Sequence, residues 1–218
     1  MGIVRFKDSG REMAVGKIVC MGQNYAKHIE ELKTRVPDKP MLFFKPSTAL
    51  LNPGDPIRLP DFSKNIHYET ELVALIDKRA RHVSTADALQ FVGGYAVGLD
   101  LTARDVQVEA RKHGEAWAVA KGFDGSAPMS EITRAEEVGD PGDLEIELRL
   151  NGEVCQSART SDMIFKTEDI ISYASSVFTL EPGDLVFTGT PSGVGVIRSG
   201  DELEARIERV GTARWKVK

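Results

Sequence analysis

The sequence predicts an α+β fold. Three observations carry that expectation: short strand-like runs outnumber helical ones along the 218 residues, the two kinds do not alternate as in a doubly wound sheet, and Gly, Pro and Asp punctuate their boundaries. A hydrophobic share of 41% beside 28% charged residues is that of a globular chain able to bury a core. No composition shift, repeat or low-complexity tract divides it, so one domain over residues 1–218 is expected.

Taken in order, the strand candidates are Ile3–Lys7, Lys17–Met21, Met41–Lys45, Ile57–Leu59, Glu69–Ile76, Gly94–Leu101, Leu144–Leu150, Leu185–Thr188, Glu202–Ile207 and Ala213–Val217. Asn151-Gly152 is a two-residue hairpin signal joining Leu144–Leu150 to Glu153–Ser157. Helices are expected to begin near Asn24, Thr85 and Thr167, where a polar side chain can satisfy first-turn amides. A fourth runs from about Thr102 to Lys112, with Val106, Ala110 and His113 at helical spacing. Residues 130–143, with two Gly-Asp pairs and a proline, read as an exposed connection.

The formal net charge of −5, with basic residues scattered among acidic ones, argues against a nucleic-acid partner. Lys78, Arg79, Arg81 and His82 form the densest basic stretch and fit a solvated turn. Cys20 and Cys155 lack the spacing of a zinc or redox pair, and both are expected to be reduced and inert. No apolar run is long enough to span a bilayer, and no h-region follows Arg5 and Lys7. A cytoplasmic location follows by elimination.

The segment HYETELVALID, residues 67–77, carries the most chemistry. At strand period Glu69, Glu71, Val73 and Leu75 share one face, and beyond Glu71 both faces are apolar. Two like charges at the mouth of a buried strand call for a positive partner, and a hard divalent cation held by carboxylates supplies one. The alternative is a strand that starts at the surface, with both glutamates in water or paired to arginines. Asp100 closes the apolar run Gly94–Leu99 and can deliver a third carboxylate to the same place, or cap the helix that follows.

In NYAKHIEEL, residues 24–32, His28 and Glu31 stand three apart on one helical face, as an oriented general base or as a surface pair. Gly22 before this segment and Pro37 and Pro40 after it supply hinges for closure over a ligand. Lys121, among small and apolar residues in AVAKGFD, is either snorkelled to water or recruited to an anion. Arg104 and Gln107 face where Asp100 points and suit a carboxylate substrate. The loop GTPSGVG, residues 189–195, lacks the Gly-Lys-Ser/Thr ending of a nucleotide site but can hold a small anion with the Thr190 hydroxyl and loop amides.

Together GQNYAKH, FFKPST, HYETEL, LDLTARDVQ, AKGFD and GTPSGVG resemble the fumarylacetoacetate hydrolase family, and most closely its short acylpyruvase-like members, from about Lys17 to the C-terminus. The resemblance implies a single catalytic domain with a mixed β-roll or β-sandwich and a few peripheral helices, assembled as a homodimer. It implies Mg2+ or Mn2+ on Glu69, Glu71 and Asp100, catalysis by His28, Glu31 and Lys121, and substrate contacts from Gln23, Arg104, Gln107 and Thr190. Gln23 stands where close acylpyruvase relatives often carry Arg.

The implied reaction is hydrolysis of an acylpyruvate to pyruvate and a carboxylic acid. Metal-held pyruvate enolate is the leaving group, Glu31 supported by His28 activates water, and Lys121 offsets the oxyanion. The same chemistry serves oxaloacetate decarboxylation, keto–enol tautomerisation, and isomerisation or decarboxylation of 2-hydroxyhepta-2,4-dienedioate-type diacids. A non-catalytic 2-oxo acid sensor is the reading of a different class.

Overall fold

Every residue from Thr70 to Ile76 is buried, so this run of β-branched and aliphatic side chains cannot be an edge or a half-solvated strand. It lies inside a six-stranded sheet in the computed structural model, which describes residues 2–31, 33 and 35–218. The strands are β1 (Ile18–Gly22), β2 (Met41–Lys45), β3 (Thr70–Ile76), β4 (Val92–Leu99), β5 (Thr133–Arg134) and, later in the chain, Leu185–Phe187. A four-stranded antiparallel sheet comprises β6 (Glu145–Leu150), β7 (Glu153–Arg159), β9 (Glu202–Ile207) and β10 (Gly211–Lys216), with Leu185–Phe187 numbered β8. The sheet orders are β5-β4-β3-β8-β1-β2 and β7-β6-β9-β10. Only β8 and β1 run parallel among these pairs.

Period-two alternation divides the core between the faces of the larger sheet. Leu72, Ala74 and Ile76 pack with Val19, Met21, Val97, Ile146, Leu148 and Leu203, closing the two sheets into a sandwich. Val73 and Leu75 face the other way, with Ile18, Cys20, Ala96 and Phe187. Each Val, Leu, Ile, Met or Phe among them withdrawn from water contributes about 1.5–3 kcal/mol. The mixed sandwich with few helices is the fold the sequence predicted.

The helices are α1 (Ala26–Glu31), α2 (Arg104–His113), α3 (Ala118–Lys121), α4 (Ala135–Val138) and α5 (Thr167–Val177). Asn24 does not cap α1. Its amide nitrogen donates to the carbonyls of Phe165 (2.9 Å) and Thr188 (2.7 Å), and its oxygen accepts from the Phe165 amide (2.9 Å), so it ties the chain before α1 to two distant loops. Leu32, the last residue of the expected lid segment, lies outside the described residues. At α5 the first-turn partner is Asp169, whose carboxylate accepts from the Lys166 amide at 3.0 Å.

Several boundaries differ from expectation. Thr85–Phe91 is a 3-10 helix, and Ile57 makes one bridge to Val217 in place of a strand. Residues 130–143 are not wholly exposed: Ile132 and Val138 are buried, and Thr133 forms part of β5. The apolar residues there cover the edge of β4. Gly94 permits the approach, because a Cβ on it would lie 2.5 Å from the Thr133 carbonyl oxygen. The basic turn at Lys78–His82 is solvated as expected, and Cys20 is buried while Cys155 is partly so, both as free thiols. No described helix is long and apolar enough to cross a membrane.

Candidate active site

Strand pairing assembles the carboxylates. In the β3–β4 register Thr70 faces Leu99 and Glu71 faces Gly98, and beyond them the Asp100 amide donates to the Glu69 carbonyl at 2.8 Å. Glu69, Glu71 and Asp100 are all buried, and one carboxylate oxygen from each lies within 4.8 Å of the others. Oxygens bound to one small divalent cation at about 2.1 Å sit up to about 4.2 Å apart, so a sub-ångström adjustment gathers all three.

Charge compensation is uneven. Glu69 is paired with Arg104 and with the Lys121 ammonium, 2.7 Å away; Asp100 is paired with Lys121 at 2.6 Å and with Lys45 at 2.8 Å. Glu71 has no cationic partner among the described residues and accepts only the Gly189 amide, at 2.7 Å. Burial, then the neighbouring Asp100 and Glu69 charges, push the Glu71 carboxyl well above its usual range. Burial opposes ionisation of Glu69 too, but Lys121 and Arg104 outweigh it and hold that group low. Lys121 is likewise held charged by Asp100 and Glu69 against the effect of burial. Asp100 Oδ1 is buried, with the Lys45 ammonium as its ion-pair partner. A buried carboxylate without a cationic partner among the described residues, Glu71, beside two more carboxylates within reach of one point fits a divalent cation held by these three residues.

The anion-facing groups surround this cluster. Lys121 ends α3 and is recruited to the carboxylates, not snorkelled to water. Arg104 Nη1 donates to Gln107 Oε1 at 2.6 Å while its other terminal nitrogen engages Glu69, so the guanidinium is bound to the cluster wall. His28 Nδ1 and Glu31 Oε2 are 3.0 Å apart, and the Gly193 amide donates to the same carboxylate at 3.1 and 3.3 Å. Glu31 thereby latches α1 onto the loop that carries Thr190. Gly193 is required there: its φ is +95°, and a Cβ would lie 2.0 Å from the Cys155 carbonyl oxygen.

One cavity of about 30 Å3 is lined by Gln23, His28, Glu69, Glu71, Asp100, Arg104, Gln107, Lys121 and Thr190. Nine of the ten candidate residues therefore meet, and Glu31 sits behind His28. Glu31 thus lies at the edge of the site, between α1 and the loop that carries Gly193.

A family model described as fumarylacetoacetate (FAA) hydrolase C-terminal matches residues 17–218. The chain belongs to the fumarylacetoacetate hydrolase family. Within it, oxaloacetate tautomerase FAHD1, mitochondrial, of Mus musculus is 48% identical over 201 residues, 92% of this chain and 91% of the mouse protein. Oxaloacetate tautomerase YcgM of Escherichia coli K12 is 47% identical over 195 residues, 89% of each chain. The crystal structure of fumarylpyruvate hydrolase from Pseudomonas aeruginosa in complex with Mn2+ and pyruvate superimposes with a TM-score of 0.95 at 36% identity, covering 99% of this chain and 94% of that one.

In this fumarylacetoacetate hydrolase family member three further residues join the site that the sequence reading had not singled out. Lys45 is buried at the end of β2 and donates to the carbonyl of Ser126 and to its hydroxyl, both at 3.0 Å, and to the carbonyl of Lys121. A lysine closing an apolar strand was the available signal. Arg111 stands one turn beyond Gln107 on the same face of α2. Gln156, on β7, is buried against Thr190, and nothing local in the sequence points to it. A larger groove of about 520 Å3 runs along β9 and β10, but its charges are surface pairs such as Lys216 with Glu202 at 2.9 Å, without a buried ionisable group. The buried ionisable groups gather in the smaller cavity, not in the larger groove.

Proposed function

We propose that the protein is a divalent-metal-dependent enzyme that interconverts the keto and enol forms of oxaloacetate. The observation that carries this reading is the convergence of Glu69, Glu71 and Asp100 beside a charged Lys121 and an oriented His28–Glu31 pair around one small cavity. Its support at the level of substrate is the similarity, at 47–48% identity, to oxaloacetate tautomerases of a mammal and a bacterium.

When bound by the three carboxylates, Mg2+ or Mn2+ supplies Lewis-acid polarisation of a chelating 2-oxo acid. The chain's own residues do the rest. Arg104, Gln107, Gln23 and Thr190 orient the acid through its carboxylates. Lys121, kept protonated by its carboxylate neighbours, acts as a fixed positive charge beside the oxygen at C2 and not as a base. In the enolising direction the His28–Glu31 pair takes the proton from C3, the C2–C3 bond becomes double, and the pair returns that proton to O2, so the protein ends in its starting protonation state and no atom is gained or lost. His28 lines the cavity while Glu31 orients it, which favours the imidazole as the group that meets the substrate.

The second reading is hydrolysis of an acylpyruvate to pyruvate and an acid, with the same pair activating water. It draws support from the similarity to fumarylpyruvate hydrolase and from the oriented dyad, which can activate water as well as take a proton from carbon. A non-catalytic sensor has no use for that dyad. Rates on enol-oxaloacetate and on acetylpyruvate, with Mn2+ and with EDTA, decide among them. Metal-dependent acceleration of enol decay is expected, falling about 100-fold or more in His28→Ala. Turnover of acetylpyruvate alone would replace the first reading by the second.

A further inference from the structure

Gln156 reaches from β7 across to the cavity wall, 1% exposed, with its amide fully engaged. Its oxygen accepts from the Thr70 amide at 3.0 Å, and its nitrogen donates to the Thr190 hydroxyl at 2.9 Å and to the Pro191 carbonyl at 2.8 Å. The flip of this amide is unambiguous, because a backbone N–H can only donate and a backbone carbonyl can only accept. Thr190 Oγ1 is therefore an acceptor toward Gln156. Its own proton has no acceptor among the hydrogen bonds of the described residues, and its side chain lines the cavity beside Glu71 and Arg104.

The register explains why Gln156 lies here. Leu148 pairs with Gln156 and Arg149 with Val154, so Cys155 is the extra residue of a β-bulge. The bulge directs Gln156 inward, and its Cys155 carbonyl is the group against which Gly193 packs. One irregularity in β7 thus places both the loop and the side chain that orients its hydroxyl.

We infer that Gln156 is a positioning residue that fixes Thr190 as a hydrogen-bond donor to the anionic substrate, so that the site selects a carboxylate at this corner over a neutral group. The inference deepens the proposed reading and rests on it for the substrate class. A hydroxyl free to rotate serves either sign of partner; one already accepting from a buried amide presents its proton to the cavity.

The test reads binding of oxalate by calorimetry in the presence of Mn2+, so that it stands apart from turnover. Gln156→Glu is isosteric, retains the acceptor for the Thr70 amide, and lets Thr190 donate backward. Oxalate Kd is expected to rise about tenfold in Gln156→Glu and about tenfold in Thr190→Val, but not further in the double variant. Thr190→Ser keeps the hydroxyl, so Gln156→Glu in that background is expected to weaken oxalate about tenfold again. A general effect of the new charge or of misfolding would instead multiply the losses to about 100-fold in Gln156→Glu with Thr190→Val, and that result overturns the inference. Absence of oxalate binding to the wild type overturns it too. If oxalate follows the expected cycle while neither oxaloacetate nor acetylpyruvate is turned over, the functional reading fails and the donor role stands.

Discussion

Glu71 is the side chain on which the site's electrostatics turn, because its two carboxylate neighbours have ammonium or guanidinium partners and it does not. Its raised affinity for a proton means that the ion-free folded state holds a proton that the unfolded chain releases above about 4.5. Folded protein binds more protons than unfolded protein in that window, so ion-free stability falls as pH rises from there toward neutrality. A cation on the proposed site would have to displace that proton, so affinity for Mn2+ is expected to climb over the same window. Glu71→Gln relieves the repulsion: without ion it should melt several degrees higher, at roughly 2–4 °C per kcal/mol, and added Mn2+ should no longer shift its Tm. Melting curves from pH 5 to 8 with EDTA and with Mn2+ check both statements. A variant that melts lower and still responds to Mn2+ would contradict them. Lys45 belongs to the same cluster, and breaking a buried pair by Lys45→Met is expected to cost about 3–5 kcal/mol in urea unfolding.

At the scale of elements, the short helix α1 depends on its tethers, since six residues have little helical stability of their own. Asn24→Ala removes three hydrogen bonds to residues 165 and 188, at about 1 kcal/mol each. Urea unfolding should register the loss, and faster amide exchange confined to α1 and the 188–193 loop would locate it. Gly193→Ala is expected to destabilise by about 1–3 kcal/mol from backbone strain, before the clash with Cys155 is counted. It should also loosen the Glu31 latch and raise KM. The strand and hairpin pattern of β3, β6 and β7 was legible because apolar alternation and Asn151-Gly152 are local signals. Asn24 as a tether was not: a polar residue before a helix reads as a cap, and its true partners lie 141 and 164 positions away. Residues 130–143 misled for a related reason, as their Gly-Asp turns are conspicuous while Ile132 and Val138 are isolated apolar residues whose burial depends on the sheet edge above them.

For the whole molecule, the sandwich serves to bring residues from five stretches, near 28, 70, 100, 121 and 190, to one mouth. The candidate site was largely readable because each stretch carries a motif with its own chemistry, and nine of ten residues share the cavity. What the sequence withheld was the pairing among them: Arg104 is bound to Glu69, Lys121 bridges two carboxylates, and Gln156 arrives from the second sheet. Those relations depend on strand register, which no single segment encodes. They also make the proposed cation site a property of the folded chain as a whole. The most direct measurement is titration with Mn2+ by electron paramagnetic resonance on the wild type and on Glu69→Gln, Glu71→Gln and Asp100→Asn, each checked for folding by circular dichroism. One ion per chain is expected for the wild type, with affinity lower by at least about 100-fold in every variant. Equal Mn2+ binding by all four folded proteins would contradict a metal centre on these carboxylates.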